Sequence, residues 1–385
     1  DKITKDSKFS SVKELDLLIK KLSKYILTGL QETNYPISYD EQNEIANEYL
    51  KMIKKDSKYN KQIQTKDFIG PSSFTLQMNN IAPVNSDSKI VNIRQNYTVT
   101  DKADGDRKIL YINKKGKIYL LTTNMNIQFT GAQTNNSDFF NSILDGEHIL
   151  HNKKGQYINL YAAFDIYIIN NKDVRSLSFT PSSTDESSEL HRLPLLVNFI
   201  QGLNPVLFNS TNKSPPIRIE NKQFQISTPQ QTIFKGCNII YEQIKDGLFE
   251  YETDGLIFTP MDKGVGSNSK GEEPKSVKVT WDYSLKWKPP EFNTVDFLIT
   301  TKKLPNGEDI IGNIFQNGID TTVDTQINQY KTIILRVGFD VKKHGYVNPC
   351  ANIIEDNYPS NNDLDNGDTY KPVQFFPTNP YDNDA

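Results

Sequence analysis

The stretch TDKADGDR, residues 100–107, sets Lys102 and Arg107 on either side of an Asp104-Gly105 turn, just after the β-rich run at residues 97–99. Asp-Gly between polar residues is a common hairpin signal, so the stretch reads as a surface lysine beside an ordinary turn or as a nucleophile. A nucleophilic lysine must first shed a proton held with a solution pKa of ~10.4. Converging cations and partial burial favour the neutral amine, so the second reading needs other positive groups nearby. LKWK, residues 285–288, can supply them. In a strand, Lys286 and Lys288 point to one face and Trp287 to the other. Pro289-Pro290 then ends the strand, because proline cannot continue the ladder. The bland alternative is a solvent-facing edge strand guarded by lysines.

The surrounding chain is long enough to build real cores. Its 385 residues are 36% hydrophobic and 24% charged, which suits about two or three domains. A net charge of −3 excludes a generally basic nucleic-acid coat and leaves room for a local basic groove. With only Cys237 and Cys350, a disulfide framework or a Cys-based zinc site is not expected, and a reducing compartment is the default. Four scattered histidines argue against a His-rich metal centre. No apolar run approaches the roughly 18–20 residues of a membrane span, and the polar start is not a signal peptide. Beginning at Asp1 without methionine, the chain reads as a piece of something longer.

Residues 1–66 are expected to be helical. SVKELDLLIKKLSKYIL has apolar residues at helical spacing with Ser11 and Glu14 as a capping box, and SYDEQNEIANEYLKMIKK repeats the pattern with Ser38 and Glu41. Glu44 and its acidic neighbours form a solvated helix face rather than a metal site. From FIGPSSFTLQMNNIAP onward, short β-branched and aromatic runs alternate with Gly, Asn and Asp clusters. STDESSELHRLPLLVNFI reads as a capped helix after a polar loop, and DKGVGSNSKGEEPKS as a flexible surface loop. Gly264-Val265-Gly266 lacks the remaining glycine of a dinucleotide loop, and no helix pattern follows it. Beyond Phe292 the chain is again strand-like, with an irregular tail from Tyr358.

Five motifs then fall in order: KADGDR (102–107), LDGEHIL (144–150), YAAFDIYIIN (161–170), TDGLIFTP (253–260) and LKWKPPEFNTVDF (285–297). Together they resemble the covalent nucleotidyltransferase superfamily of polynucleotide ligases and mRNA capping enzymes. TDGLIFTP and LKWKPP with NTVDF are similar to the guanylyltransferase form. The resemblance implies an α+β fold: a nucleotidyltransferase domain of mixed antiparallel sheets (67–291), a C-terminal OB-like β-barrel domain (292–385) and a helical N-terminal segment (1–66). It implies that Lys102 attacks GTP to form a lysyl-GMP intermediate, which passes to a 5′-diphosphate RNA end. Lys286 and Lys288 would hold the α-phosphate, Arg107 the sugar, and Glu147 the ribose hydroxyls. Phe164 would stack on the purine or simply pack in the core, with Asp165 in support. Asp254 would act on the lysine or on a metal, with Glu252 sharing its face. Magnesium or manganese would bind through the substrate phosphates and one or two carboxylates.

FIGPSSFTLQMNNIAP and LRVGFDVKKHGYVNPC look like the multifunctional capping enzymes of large cytoplasmic DNA viruses. That resemblance implies triphosphatase and methyltransferase domains in the full-length polypeptide and a location in the host cytoplasm, in the viral factory, and in the virion, with no membrane partner. One element departs from the family. Its final Arg-x-x-Asp-Lys motif is approximated only by Arg336, Asp340 and Lys342 at altered spacing, so the true motif is expected past Ala385. An ATP-dependent ligase and a catalytically silent scaffold of the same fold are the alternative readings.

Overall fold

The computed structural model describes residues 12–59, 61–84, 90–181, 190–210, 213–269, 271–272, 274–289, 292, 297–314, 328–339 and 371–374. The chain divides into two compact units, Asp1–Phe292 and Asn293–Ala385. The first unit holds helices α1 (Val12–Gln31), α2 (Tyr39–Lys54), α3 (Arg192–Gly202) and α4 (Ile233–Lys245). Its strands are β1 (Ser72–Thr75), β2 (Tyr97–Ala103), β3 (Asp106–Ile112), β4 (Lys117–Thr122), β5 (Ile127–Gln133), β6 (Ser142–His151) and β7 (Tyr157–Ile169). They continue with β8 (Lys172–Asp173), β9 (Val206–Leu207), β10 (Arg218–Asn221), β11 (Gln225–Ile226), β12 (Thr253–Pro260) and β13 (Thr280–Trp287).

Two sheets result. The larger runs β10-β7-β6-β3-β4-β5-β9 with β8 on β7, and the smaller runs β1-β13-β12-β2-β11. Their central strands pair antiparallel, while β1–β13 and β10–β7 are parallel. The larger sheet is apolar on both faces because both are covered. Ile109, Tyr111, Tyr119 and Leu121 pack under Ile45, Tyr49, Leu50 and Ile53 of α2. Leu110, Ile112, Ile118 and Leu120 alternate to the other face and meet Leu196 and Phe199 of α3. α2 is therefore a layer of this unit. Ser38 caps it by accepting from the Glu41 N–H at 3.1 Å. The Glu41 carboxylate takes bonds from Lys117 and Tyr119 on the sheet, tying the helix to β4. By contrast α1 buries only Gln31. No helix among the described residues is long and apolar enough to cross a membrane.

The smaller sheet packs Val99, Leu256, Phe258 and Leu285 against Ile233 and Ile240 of α4, a helix beyond those expected from the sequence. The segment expected to be a flexible surface loop is partly a packed strap. Val265 joins the core, its N–H donates to Arg175 O at 2.7 Å, and Ser267 O accepts from the Trp281 indole at 2.9 Å. Its glycine-rich composition conceals one apolar anchor and several satisfied backbone groups.

The second unit contains β14 (Leu298–Thr301), β15 (Ile311–Ile314), β16 (Asn328–Lys331), β17 (Ile333–Phe339) and β18 (Lys371–Gln374). They form antiparallel sheets ordered β14-β17-β18 and β15-β16. The tail from Tyr358 is thus not wholly irregular, since Lys371–Gln374 pairs at the sheet edge, where Pro372 is tolerated. Asp340 and Lys342 lie outside the described residues.

Candidate active site

The Asp104-Gly105 turn does not close a hairpin. β2 pairs with β12 and β11, whereas β3 pairs with β4 and β6. The turn carries the chain from one sheet to the other, so Lys102 ends a strand of the smaller sheet and Arg107 begins one in the larger. A cavity of about 300 Å³ lies between the sheets, lined by Lys102, Lys286, Thr100 and Ile257 from one side and Arg107, Glu147, Phe164 and Tyr167 from the other.

Lys102 is where a bulge aims a carboxylate. In the β12–β2 register Thr253 faces Ala103 and Leu256 faces Asp101, so Asp254 and Gly255 together oppose Lys102. Gly255 sits at φ +145°, and a Cβ there would fall 2.0 Å from Trp287 O, so only glycine fits. Asp254 bridges two amines: Lys102 Nζ donates to Oδ1 at 2.6 Å, and Lys288 Nζ lies 2.6 Å from Oδ2. Burial alone would raise the Asp254 carboxyl, yet hydrogen bonds from Lys102 and Lys288 hold it below the usual carboxylate value. β13 lies between β1 and β12, so the LKWK segment is an interior strand and not a lysine-guarded edge. Its alternation is as expected. Lys286 lines the cavity, while Trp287 turns to the other face and meets Tyr241 of α4 with ring centroids 6.0 Å apart.

Across the cavity, two further bulges set the side chains. Asp145 faces Asp165 and Gly146 faces Ala163, which leaves Phe164 as the extra residue of β7. Leu144 faces Ile166 and Ile143 faces Ile168, which does the same for Tyr167. Both extra residues are turned into the cavity. Phe164 is half-buried, with the Arg107 guanidinium 5.4 Å from its ring centroid. Arg107 is clamped by fully buried Asp145 through Nε to Oδ1 at 3.1 Å and Nη2 to Oδ2 at 2.5 Å, and by Pro71 O at 2.6 Å. The Tyr167 hydroxyl also donates to Asp145 Oδ2.

Asp165 borders the cavity but is held bidentately by Arg192 of α3, at 2.9 and 3.2 Å, which makes it an anchor between sheet and helix. Lys222, which no motif flagged, reaches the cavity while paired to Asp101 at 3.0 Å, and Tyr251 donates to the same carboxylate. Lys102, Asp254, Lys286, Lys288, Arg107, Glu147 and Phe164 are therefore brought together. Glu252 is not: it is exposed and lies just before β12 begins at Thr253, outside the strand alternation that would have set both carboxylates on one face. Among the described residues no three His, Cys, Asp or Glu side chains gather as a metal cage.

Burial pushes the Glu147 carboxyl up to about 7, against the opposing pull of Lys222, Arg107 and Lys102. Because the folded value lies above the unfolded one, the folded state binds the extra proton between about pH 4.5 and 7. This group therefore favours the folded state at low pH, and that contribution is lost as pH rises through about 7. Denaturant unfolding across pH 5–8 is expected to show this decline in the wild type and a flatter profile in Glu147→Gln. Identical slopes would show that Glu147 does not titrate there.

Residues 36–290 match the family model described as mRNA capping enzyme, catalytic domain. The chain belongs to the mRNA capping enzyme family. It is 26% identical over 340 residues to a probable mRNA-capping enzyme of Acanthamoeba polyphaga mimivirus, covering 81% of this chain and 27% of that protein. To the mRNA-capping enzyme of Danio rerio it is 26% identical over 238 residues, covering 60% and 35%. To that of Mus musculus the identity is 24% over 275 residues, covering 67% and 42%. The chain thus spans between 27% and 42% of the length of these curated relatives. Among solved structures, the ligase domain of M. tuberculosis LigD aligns with a TM-score of 0.34 at 10% identity, over 58% of this chain and 60% of that one. The capping-enzyme match contains all five motifs up to Pro290, and with them the whole cavity described above.

Proposed function

We propose that this capping-family chain is an mRNA guanylyltransferase module that forms a lysyl-GMP intermediate on Lys102. The observation that carries the reading is the Lys102–Asp254–Lys288 bridge at the edge of a cavity also lined by Lys286. Three amines and one carboxylate suit a site that receives a phosphate and presents one amine to it. In the first step the Lys102 nitrogen attacks the α-phosphorus of GTP. A P–N bond forms, the P–O bond to pyrophosphate breaks, and pyrophosphate leaves. The Asp254 carboxylate, 2.6 Å away, is the nearest acceptor for the proton the amine gives up. Lys286 and Lys288 offset the charge that develops on the phosphate oxygens. In the second step a terminal phosphate oxygen of a 5′-diphosphate RNA attacks the phosphoamide. The P–N bond breaks, Lys102 regains its proton, and the GpppN cap is released.

Phe164 and Ile257 approach from opposite sheets and leave an apolar slot for the purine. Glu147 accepts from the ribose hydroxyls, and Arg107 lies beside it on the paired strand. A magnesium or manganese ion, carried in on the GTP phosphates with Asp254 as its one protein carboxylate, would supply further neutralisation of the leaving pyrophosphate. The donor set fits that use and no more, since both Asp254 oxygens already accept from lysines. The full-length polypeptide would add triphosphatase and methyltransferase domains and work in the host cytoplasm, in the viral factory, and in the virion.

The test is covalent labelling. The chain is incubated with α-labelled GTP or ATP and magnesium or manganese, then denatured. Acid-labile label from GTP alone is expected. Label from ATP alone would make the chain a ligase-type adenylyltransferase, and label from neither, in this chain and in the full-length polypeptide alike, would make it a silent scaffold.

A further inference from the structure

Beyond Lys102 the cavity wall continues along one face of the smaller sheet, where Thr100, Ile257 and Lys286 lie level one step on and Ser284 lies a further step on. Thr100 lies two residues before Lys102 on β2, and Ser284 two residues before Lys286 on β13. Two residues of strand rise about 6.8 Å, one pleat repeat. A nucleotide whose α-phosphate rests at Lys102 would extend its sugar and base over Ile257 toward Ser284.

The residues along this face differ in what they can offer a ligand. Thr100 has given its one proton to Gln223 O at 2.6 Å and keeps only acceptor lone pairs. Ile257 offers only an apolar face. Ser284 differs. Its Oγ lies 2.8 Å from Ser73 Oγ of β1, both residues line the cavity, and neither hydroxyl has another hydrogen-bond partner among the described residues. A hydroxyl pair uses one of its two protons in the mutual bond. The other proton and the remaining lone pairs are left for a ligand, and either oxygen can be the donor.

We propose that the Ser73–Ser284 hydroxyl pair reads the 2-amino group of guanine and so separates guanine nucleotides from purines that lack that group. This deepens the guanylyltransferase reading and rests on it. The amino group donates, and a hydroxyl oxygen in the wall accepts. Hypoxanthine and adenine carry only hydrogen at that carbon and leave the oxygen without a ligand partner. Because the pair already satisfies itself, the discrimination is that of one neutral hydrogen bond, roughly three- to tenfold.

Inosine nucleotides isolate the 2-amino group, since they keep the guanine 6-oxo edge. Affinities of GDP and IDP are measured by calorimetry, with no covalent step, for the wild type, Ser284→Ala, Ser73→Ala, the double variant and Ser284→Thr. Adduct formation from labelled GTP and ITP is measured alongside, and thermal unfolding checks that the variants fold. The wild type is expected to favour the guanine nucleotide in both assays. Either alanine variant should bring the ratio close to one, the double variant should add little, and Ser284→Thr should retain the preference. A wild-type ratio of one, or a preference that survives both alanine variants, overturns the proposal. A GDP preference that depends on the pair, in a chain forming no adduct, would support the proposal while removing the proposed chemistry.

Discussion

Lys102→Arg is expected to abolish the GMP adduct completely while leaving the fold and GTP binding in place. The substitution keeps a positive charge at the end of β2, and a guanidinium can still bond the Asp254 carboxylate that Lys102 meets at 2.6 Å. The charge balance among Lys102, Asp254 and Lys288 is therefore preserved. What is lost is the lone pair. Arginine, with a pKa above about 12, stays protonated at working pH and has no amine to offer to phosphorus. Labelling should fall below detection, a loss greater than roughly a thousandfold, which is the scale at which removing a unique nucleophile differs from perturbing its surroundings. GDP affinity, by calorimetry, should stay within about fivefold of the wild type, roughly 1 kcal/mol. An adduct of undiminished yield in this variant would move the nucleophile elsewhere. A protein that neither labels nor binds GDP would mean that Lys102 serves chiefly to hold the phosphate.

The two largest parts of the fold differ in how far they are legible from residue pattern. The larger sheet is visible because β3 and β4 are apolar on alternating faces and α2 repeats its apolar residues at helical spacing. α4 was not expected, although Ile233, Cys237, Ile240 and Ile244 recur at helical spacing behind the Thr232 cap; only Gly236 and the β-branched residues lower its helix propensity. The structure shows why that glycine is there: a Cβ would stand 2.9 Å from Gln225 Cβ and 3.2 Å from Val99 Cγ1, where helix and sheet approach closely. In the site, the residues that follow strict alternation were placed correctly, as with Lys286 and Lys288 against Trp287. Alternation does not reach every other residue of the site. Period-two reasoning puts Glu252 on the face of Asp254, but Glu252 lies outside β12, where that alternation does not hold. It leaves Phe164 undecided between core and cavity, and an extra residue in β7 is what turns the ring inward. Lys222 and Asp101 pair across 121 residues of sequence, and no local pattern encodes a contact of that kind.

Asp145 illustrates the opposite case, a residue in plain view whose weight the motif conceals. It sits two positions before Glu147 in LDGE, so alternation puts both on one face, yet only the second reads as a ligand-binding carboxylate. Asp145 has no exposed surface and takes two bonds from Arg107 and one from Tyr167. Asp145→Ala would strand a largely buried guanidinium with Pro71 O as its remaining partner. Breaking a buried pair by removing one member costs about 3–5 kcal/mol, because the other charge stays buried without compensation. Tyr167→Phe removes a single hydrogen bond to that carboxylate and should cost about 1.5–3 kcal/mol. Urea unfolding at constant slope is the measurement, with the midpoint displaced more by the first substitution than by the second. Asp145→Asn keeps one acceptor oxygen for Arg107 and should fall between them. It also separates stability from function: a folded Asp145→Asn protein should bind GDP more weakly, because a guanidinium no longer gripped at both nitrogens wanders beside Phe164 and Glu147. If Asp145→Ala unfolds within 1 kcal/mol of the wild type, the Arg107 clamp is not what joins this wall of the cavity to the sheet behind it.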